Sequence, residues 1–81
     1  MSVSVEDIKQ AVWKLQKQKA IDLVKQGLAE GLDPVAMLKG GVIAGLQTVG
    51  AKFAAGEYFL AELVMSGKVS EPCIDLINPH L

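Results

Sequence analysis

The chain has 81 residues, 51% of them hydrophobic and 21% charged, which describes one small domain with a core and excludes a disordered segment. Eight lysines, no arginine and nine acids leave a net charge of -1, which argues against a nucleic-acid binder, whose surface needs a basic excess and arginine forks. The single cysteine, Cys73, excludes an internal disulfide and a multi-cysteine zinc site.

Glu6, Asp7, Lys9, Lys14 and Lys17 interrupt the first 19 residues, so no secretory leader is read there. No run reaches the roughly 18 to 20 apolar residues of a membrane span. The expectation is a soluble, cytoplasmic domain with no membrane and no nucleic-acid partner. Apolar residues recur at spacings of three and four, the helical period, and strict alternation is missing.

The first helix carries Val5, Ile8, Ala11, Val12 and Leu15 on one face. Ser4 is placed to cap it, with Asp7 three residues on and a Val3–Ile8 staple. Trp13 falls roughly 130° off that face at about 100° per residue. It either lies over the stems of Lys9 or Lys17 or meets a neighbouring domain or chain. A weak break at Gln16, Lys17 and Gln18 precedes a second helix with Ala20, Ile21, Val24 and Leu28 in register, ending at Gly31.

Asp33 then reads as an N-cap and Pro34 as a first helical residue, with a Leu32–Met37 staple. The third helix is expected from Pro34 to about Ala55, its core stripe formed by Val35, Leu38, Val42, Leu46, Val49 and Phe53. Gly40, Gly41, Gly45 and Gly50 lie inside it, at about 1 kcal/mol each relative to alanine. Such a cost needs a reason, either the close approach of another helix or a bend near Gly40–Gly41. Lys39 and Lys52 rule out a membrane Gly-x-x-x-Gly motif.

After the turn Gly56-Glu57-Tyr58, a fourth helix starts at Phe59 or Leu60. Leu60, Leu63, Val64, Gly67 and Ile74 are assigned to the core. Phe59, Glu62, Ser66, Val69 and Cys73 make a second, mostly apolar face, which in a plain bundle calls for a partner or a ligand. Pro72 removes a backbone hydrogen bond, and Ser70 can cap a new turn, so a kink or break is expected near residues 68–71. The expected fold is all-α, a four-helix bundle spanning residues 1–81. Cys73 reads as a small, half-buried apolar side chain, and Glu57 and Glu62 as solvated surface charges. No nucleophile–base pair or metal-ligand set is visible.

Residues 45–63, with Val49-Gly50, Phe53, Gly56, Tyr58-Phe59-Leu60 and Glu62-Leu63, resemble the helical cap domain of cobalamin-dependent methyl carriers. These are the corrinoid proteins of methylamine, methanol and related methyltransferase systems, and the corresponding module of cobalamin-dependent methionine synthase. The Gly31-Leu32-Asp33-Pro34 turn and the Asn78-Pro79-His80-Leu81 end fit the same pattern. The resemblance implies a four-helix cap over the upper face of cobalamin, held by a following Rossmann-like corrinoid domain and served by methyltransferase partner enzymes. It implies that the aromatic residue opening the last helix, Phe59, shields the methyl–cobalt bond, with Glu62, Ser66 and Val69 on the same side as cofactor-binding residues. It assigns no catalytic residue and no metal ligand to this chain. Ala61 departs from the proline often found there, and Gly67 and Pro72 from a usually continuous helix. The cobalt-ligating Asp-x-His-x-x-Gly is missing; His80 is read as part of a domain boundary, and the chain as an excised N-terminal domain. Without the resemblance, Phe59 reads as a plain core aromatic, and the chain as a helical interaction or dimerisation module.

Overall fold

Several helix ends in the computed structural model, which describes residues 2–81, are set by local backbone chemistry. Ser4 caps α1 (Val5–Trp13): its Oγ accepts from the Asp7 N–H at 3.2 Å and Asp7 Oδ2 accepts from the Ser4 N–H at 3.0 Å. This reciprocal pair satisfies two donors that a helix start leaves without partners. The chain then turns through Leu15 at φ +62, a left-handed conformation uncommon for a leucine, and enters α2 (Lys17–Ala29). Gly31 follows at φ +85, where glycine carries no side-chain penalty. Glu30 joins this end of α2 to the start of the chain, its Oε1 accepting from the Val3 N–H at 2.8 Å. That bond, helped by the Gln26 side chain, holds the Glu30 carboxyl below its usual pKa.

Helix α3 covers residues 34–54 and changes its winding twice. Asp33 caps an α-helical turn, Pro34–Ala36; Met37–Ile43 forms a π-helix; Ala44–Ala54 returns to the α form. The π segment contains Gly40 and Gly41, where the sequence allowed either a bend or a close helix approach. Both a change of winding and a close approach occur there. A Cβ on Gly40 would lie 2.8 Å from the Val5 side chain, on Gly41 2.9 Å from Ile8, and on Gly45 2.7 Å from Val12. The three glycines thus form a groove into which α1 is pressed. Gly50 meets nothing within 4 Å and has no such role.

Helix α4 runs unbroken from Leu60 to Ile77 and passes into a short 3-10 turn, Asn78–His80. The break expected near residues 68–71 is corrected by this. Ser70 does not cap a new turn; its Oγ donates to the Gly67 carbonyl at 3.1 Å, inside the helix. Pro72 borders an open surface hollow with Lys17, Lys68, Glu71 and Asp75. The Lys68 carbonyl, deprived of its helical donor by Pro72, belongs to an exposed residue that water can reach.

The four helices α1 to α4 form an all-α bundle 37 × 19 × 19 Å in extent, with no strand among the described residues. No described helix is long and apolar enough to cross a membrane. Ile8, Val12, Val24, Met37, Val42, Cys73 and Ile77 are fully buried at its centre. Of the stripe expected on α3, Val42 and Val49 are buried and Leu38 and Leu46 half-buried, whereas Val35 and Phe53 at its ends are exposed. Cys73, expected to be half-buried, lies wholly inside, and desolvation pushes its thiol up to about 11.

The glycine contacts and the buried thiol have measurable consequences. Gly45→Ala drives a methyl into Val12 and should destabilise the fold by about 1–3 kcal/mol, as overpacking does. Gly50→Ala, at an open helical position, should stabilise it by about 0.4–1 kcal/mol; urea unfolding of both variants separates the two. The Cys73 thiol should resist alkylation at pH 8 until the chain unfolds. Because burial favours its neutral form, stability should fall as pH rises from the ordinary value of 9.0 toward 11.

Candidate functional site

Helix α4 carries its apolar residues on two sides, and the structure reverses the assignment of those sides. Ser66, Val69, Ser70, Cys73 and Ile77 are the buried ones. Leu60, Val64 and Gly67, expected in the core, are exposed, and Leu63 is half-buried; Ile74, also half-buried, packs against the core as expected. The serines explain the reversal. Ser66 Oγ donates to the Leu63 carbonyl at 2.7 Å, as Ser70 does to Gly67, so each hydroxyl is satisfied by its own helix and can enter the core. A polar residue type therefore marked the inner side.

The four residues singled out as cofactor-binding fall into three different surroundings. Phe59 is 68% exposed, in extended backbone immediately before the helix. Glu62 is half-buried, and its Oε1 accepts from the Phe59 N–H at 2.9 Å. Its carboxylate caps α4 from the N3 position, a task that Phe59 cannot return for lack of a side-chain acceptor. Ser66 and Val69 are 5% and 3% exposed and face inward. The expectation that they share an outer face with Phe59 is thus corrected: within this bundle they are core residues.

What lies outside near Phe59 is a set of residues the spacing had placed in the core. Leu60 is 69% exposed, Val64 54% and Met65 48%. Leu60 and Val64 are one turn apart on the same side of α4. The outer residues of the following turns are Lys68, Glu71 and Asp75, so the apolar part is confined to the first two turns. An apolar surface of this size at a helix start is suited to lie against another apolar surface and to exclude water from it.

The turn that delivers Phe59 is held at several points. Gly56 takes φ +79, and the Glu57 and Tyr58 N–H groups both donate to the Lys52 carbonyl, at 2.9 and 3.1 Å. The Tyr58 hydroxyl donates to the Trp13 carbonyl at 2.7 Å, across 45 residues of sequence. Lys52 Nζ lies 4.6 Å from the Trp13 ring centre and 5.8 Å from that of Tyr58, and 3.6 Å from Glu57 Oε2. Lys14 Nζ lies 5.5 Å from the Trp13 ring. The cations at Trp13 are therefore Lys14 and Lys52, in place of Lys9 or Lys17. Lys52 was out of reach of spacing arguments, because no local periodicity relates residue 13 to residue 52.

Comparison with known proteins places this geometry. Residues 4–78 match a family described as the B12 binding domain. The trimethylamine corrinoid protein of Methanosarcina barkeri is 32% identical over 73 residues, covering 90% of this chain and 34% of that protein. Monomethylamine corrinoid protein 1 of the same organism is 35% identical over 60 residues, covering 74% of this chain and 28% of that protein. The solved structure of the Methanosarcina barkeri monomethylamine corrinoid protein superposes with a TM-score of 0.84 at 29% identity, over 90% of this chain and 34% of the other. This chain thus spans about a third of the length of these relatives. With most of its sequence matched and its helices superposing on a corrinoid protein, the chain belongs to the B12 binding domain family.

Proposed function

We propose that residues 1–81 act as the cap of a corrinoid methyl carrier, covering the upper face of cobalamin held by a following domain while a methyl group is transferred. The observation that carries this reading is Phe59, an aromatic ring 68% exposed at the start of α4 on a backbone fixed by hydrogen bonds. The relatives, named as methylamine corrinoid proteins, support the choice of ligand and the assignment of methyltransferase enzymes as partners.

The residues present fit one face of such a ring. Phe59 would meet it directly, with Leu60 and Val64 extending the apolar surface along the first turns of α4. Glu62 sets the direction of that surface by capping the helix. Ser66 and Val69, buried behind it, would support the surface from inside the bundle. The part we assign to this chain is contact, orientation and exclusion of water. The bound corrinoid would supply the metal centre that carries the methyl group. An apolar lid slows its loss to water, and a lid of modest area can still move aside for a methyl donor or acceptor.

Replacing Phe59 by alanine in a protein that joins this chain to its corrinoid-binding domain should shorten the lifetime of the methylated corrinoid in water and light severalfold. Its visible absorbance follows that decay, and an unchanged lifetime would remove the lid role from Phe59.

A further inference from the structure

We propose that Tyr58 is a positioning residue for Phe59, and that its hydrogen bond to the Trp13 carbonyl sets where the exposed ring stands. This rests on the reading of Phe59 as a lid. The starting observation is an imbalance. Phe59 is 68% exposed, so its own ring finds little packing, yet the backbone on both sides of it is fixed. The Glu62 carboxylate accepts from the Phe59 N–H at 2.9 Å, and after the ring the Phe59 carbonyl accepts from the Glu62 N–H at 3.1 Å. Before it, Tyr58 is tied twice: its N–H donates to the Lys52 carbonyl at 3.1 Å and its hydroxyl to the Trp13 carbonyl at 2.7 Å.

The Trp13 carbonyl is suited to this. Trp13 is the last residue of α1, where carbonyls have no helical N–H to accept from. The three N–H groups that follow it donate elsewhere, Lys14 to Gln10, Leu15 to Val12 and Gln16 to Ala11. The Tyr58 hydroxyl takes the free position. Lys52, between the Trp13 and Tyr58 rings at 4.6 and 5.8 Å, draws both toward one cation. Since α1 is itself seated in the glycine groove of α3, the tie connects Phe59 to a pair of closely approached helices. An exposed ring gains nothing in stability from such a connection. A ring that must meet a flat partner at a set height and angle does, because its orientation is settled before contact.

The test uses the corrinoid-loaded full-length protein with Tyr58→Phe, Phe59→Ala and the double variant. Tyr58→Phe removes one oxygen and keeps the ring, so the fold is retained and a thermal scan verifies it. Tyr58→Phe should shorten the lifetime of the methylated corrinoid in light by about two- to tenfold, the range that losing one hydrogen bond spans. It should add nothing on the Phe59→Ala background. In the corrinoid-free protein it should speed amide exchange at Tyr58 and Phe59, whose N–H groups are hydrogen-bonded, while leaving Ile8 and Val24 protected. If Phe59→Ala shortens the lifetime and Tyr58→Phe does not, the positioning role fails and the lid stands. If the two effects add, Tyr58 acts independently of Phe59 and the proposal fails. If Phe59→Ala leaves the lifetime unchanged, the lid reading fails and the positioning role with it. Unaltered amide exchange in Tyr58→Phe also overturns it.

Discussion

The contact between α1 and the glycine groove of α3 governs the rest of the bundle. A helix of nine residues is marginal alone, since its nucleation cost is spread over few hydrogen bonds. Here Val5, Ile8 and Val12 press against Gly40, Gly41 and Gly45 at distances that leave no room for a methyl group. The order of the pairs, early residue with early residue, means that the two helices run in the same sense. The end of α1 is therefore carried toward the end of α3, where Trp13 meets Lys52. The turn leaving α3 finds the Trp13 carbonyl within reach, and the start of α4 is placed by it.

That placement divides α4 by function along its length. Its inner side is packed by Val69, Cys73 and Ile77, with two serines whose hydroxyls return to their own helix. Its outer side is apolar only in the first two turns and charged afterwards. A helix with this distribution keeps the bundle folded from one side and offers a short greasy strip on the other. The strip begins at a turn anchored by several hydrogen bonds, so a fixed backbone and an exposed ring coincide there.

Charged groups serve the same end. The Asp7 and Glu62 carboxylates each fix a helix start, Glu30 holds the first residues against α2, and Lys52 joins two aromatic rings and Glu57. Cys73, raised to about 11 by burial, behaves as a small core side chain. In this reading the chain contributes through shape and through exclusion of water, and its polar groups hold that shape.

Much of this was legible from residue order. Ser4 with Asp7, Asp33 with Pro34, and Gly31 fix helix ends through bonds within a few residues, so local pattern suffices for them. The helical cost of the glycines of α3 called for either a close approach or a bend, and the structure shows the approach at Gly40, Gly41 and Gly45 but not at Gly50; the motif around Phe59 pointed to the family. The bundle was needed to decide which side of α4 is inside. Two apolar sides at helical spacing are equivalent until a neighbour covers one, and the serines hid their polarity by hydrogen bonds that no residue count reveals. It was needed again for Pro72, which the helix accommodates beside an open hollow, and for the Tyr58–Trp13 tie. Bonds across 45 residues leave no periodic trace, so local chemistry wrote the helices and packing alone chose their inner faces.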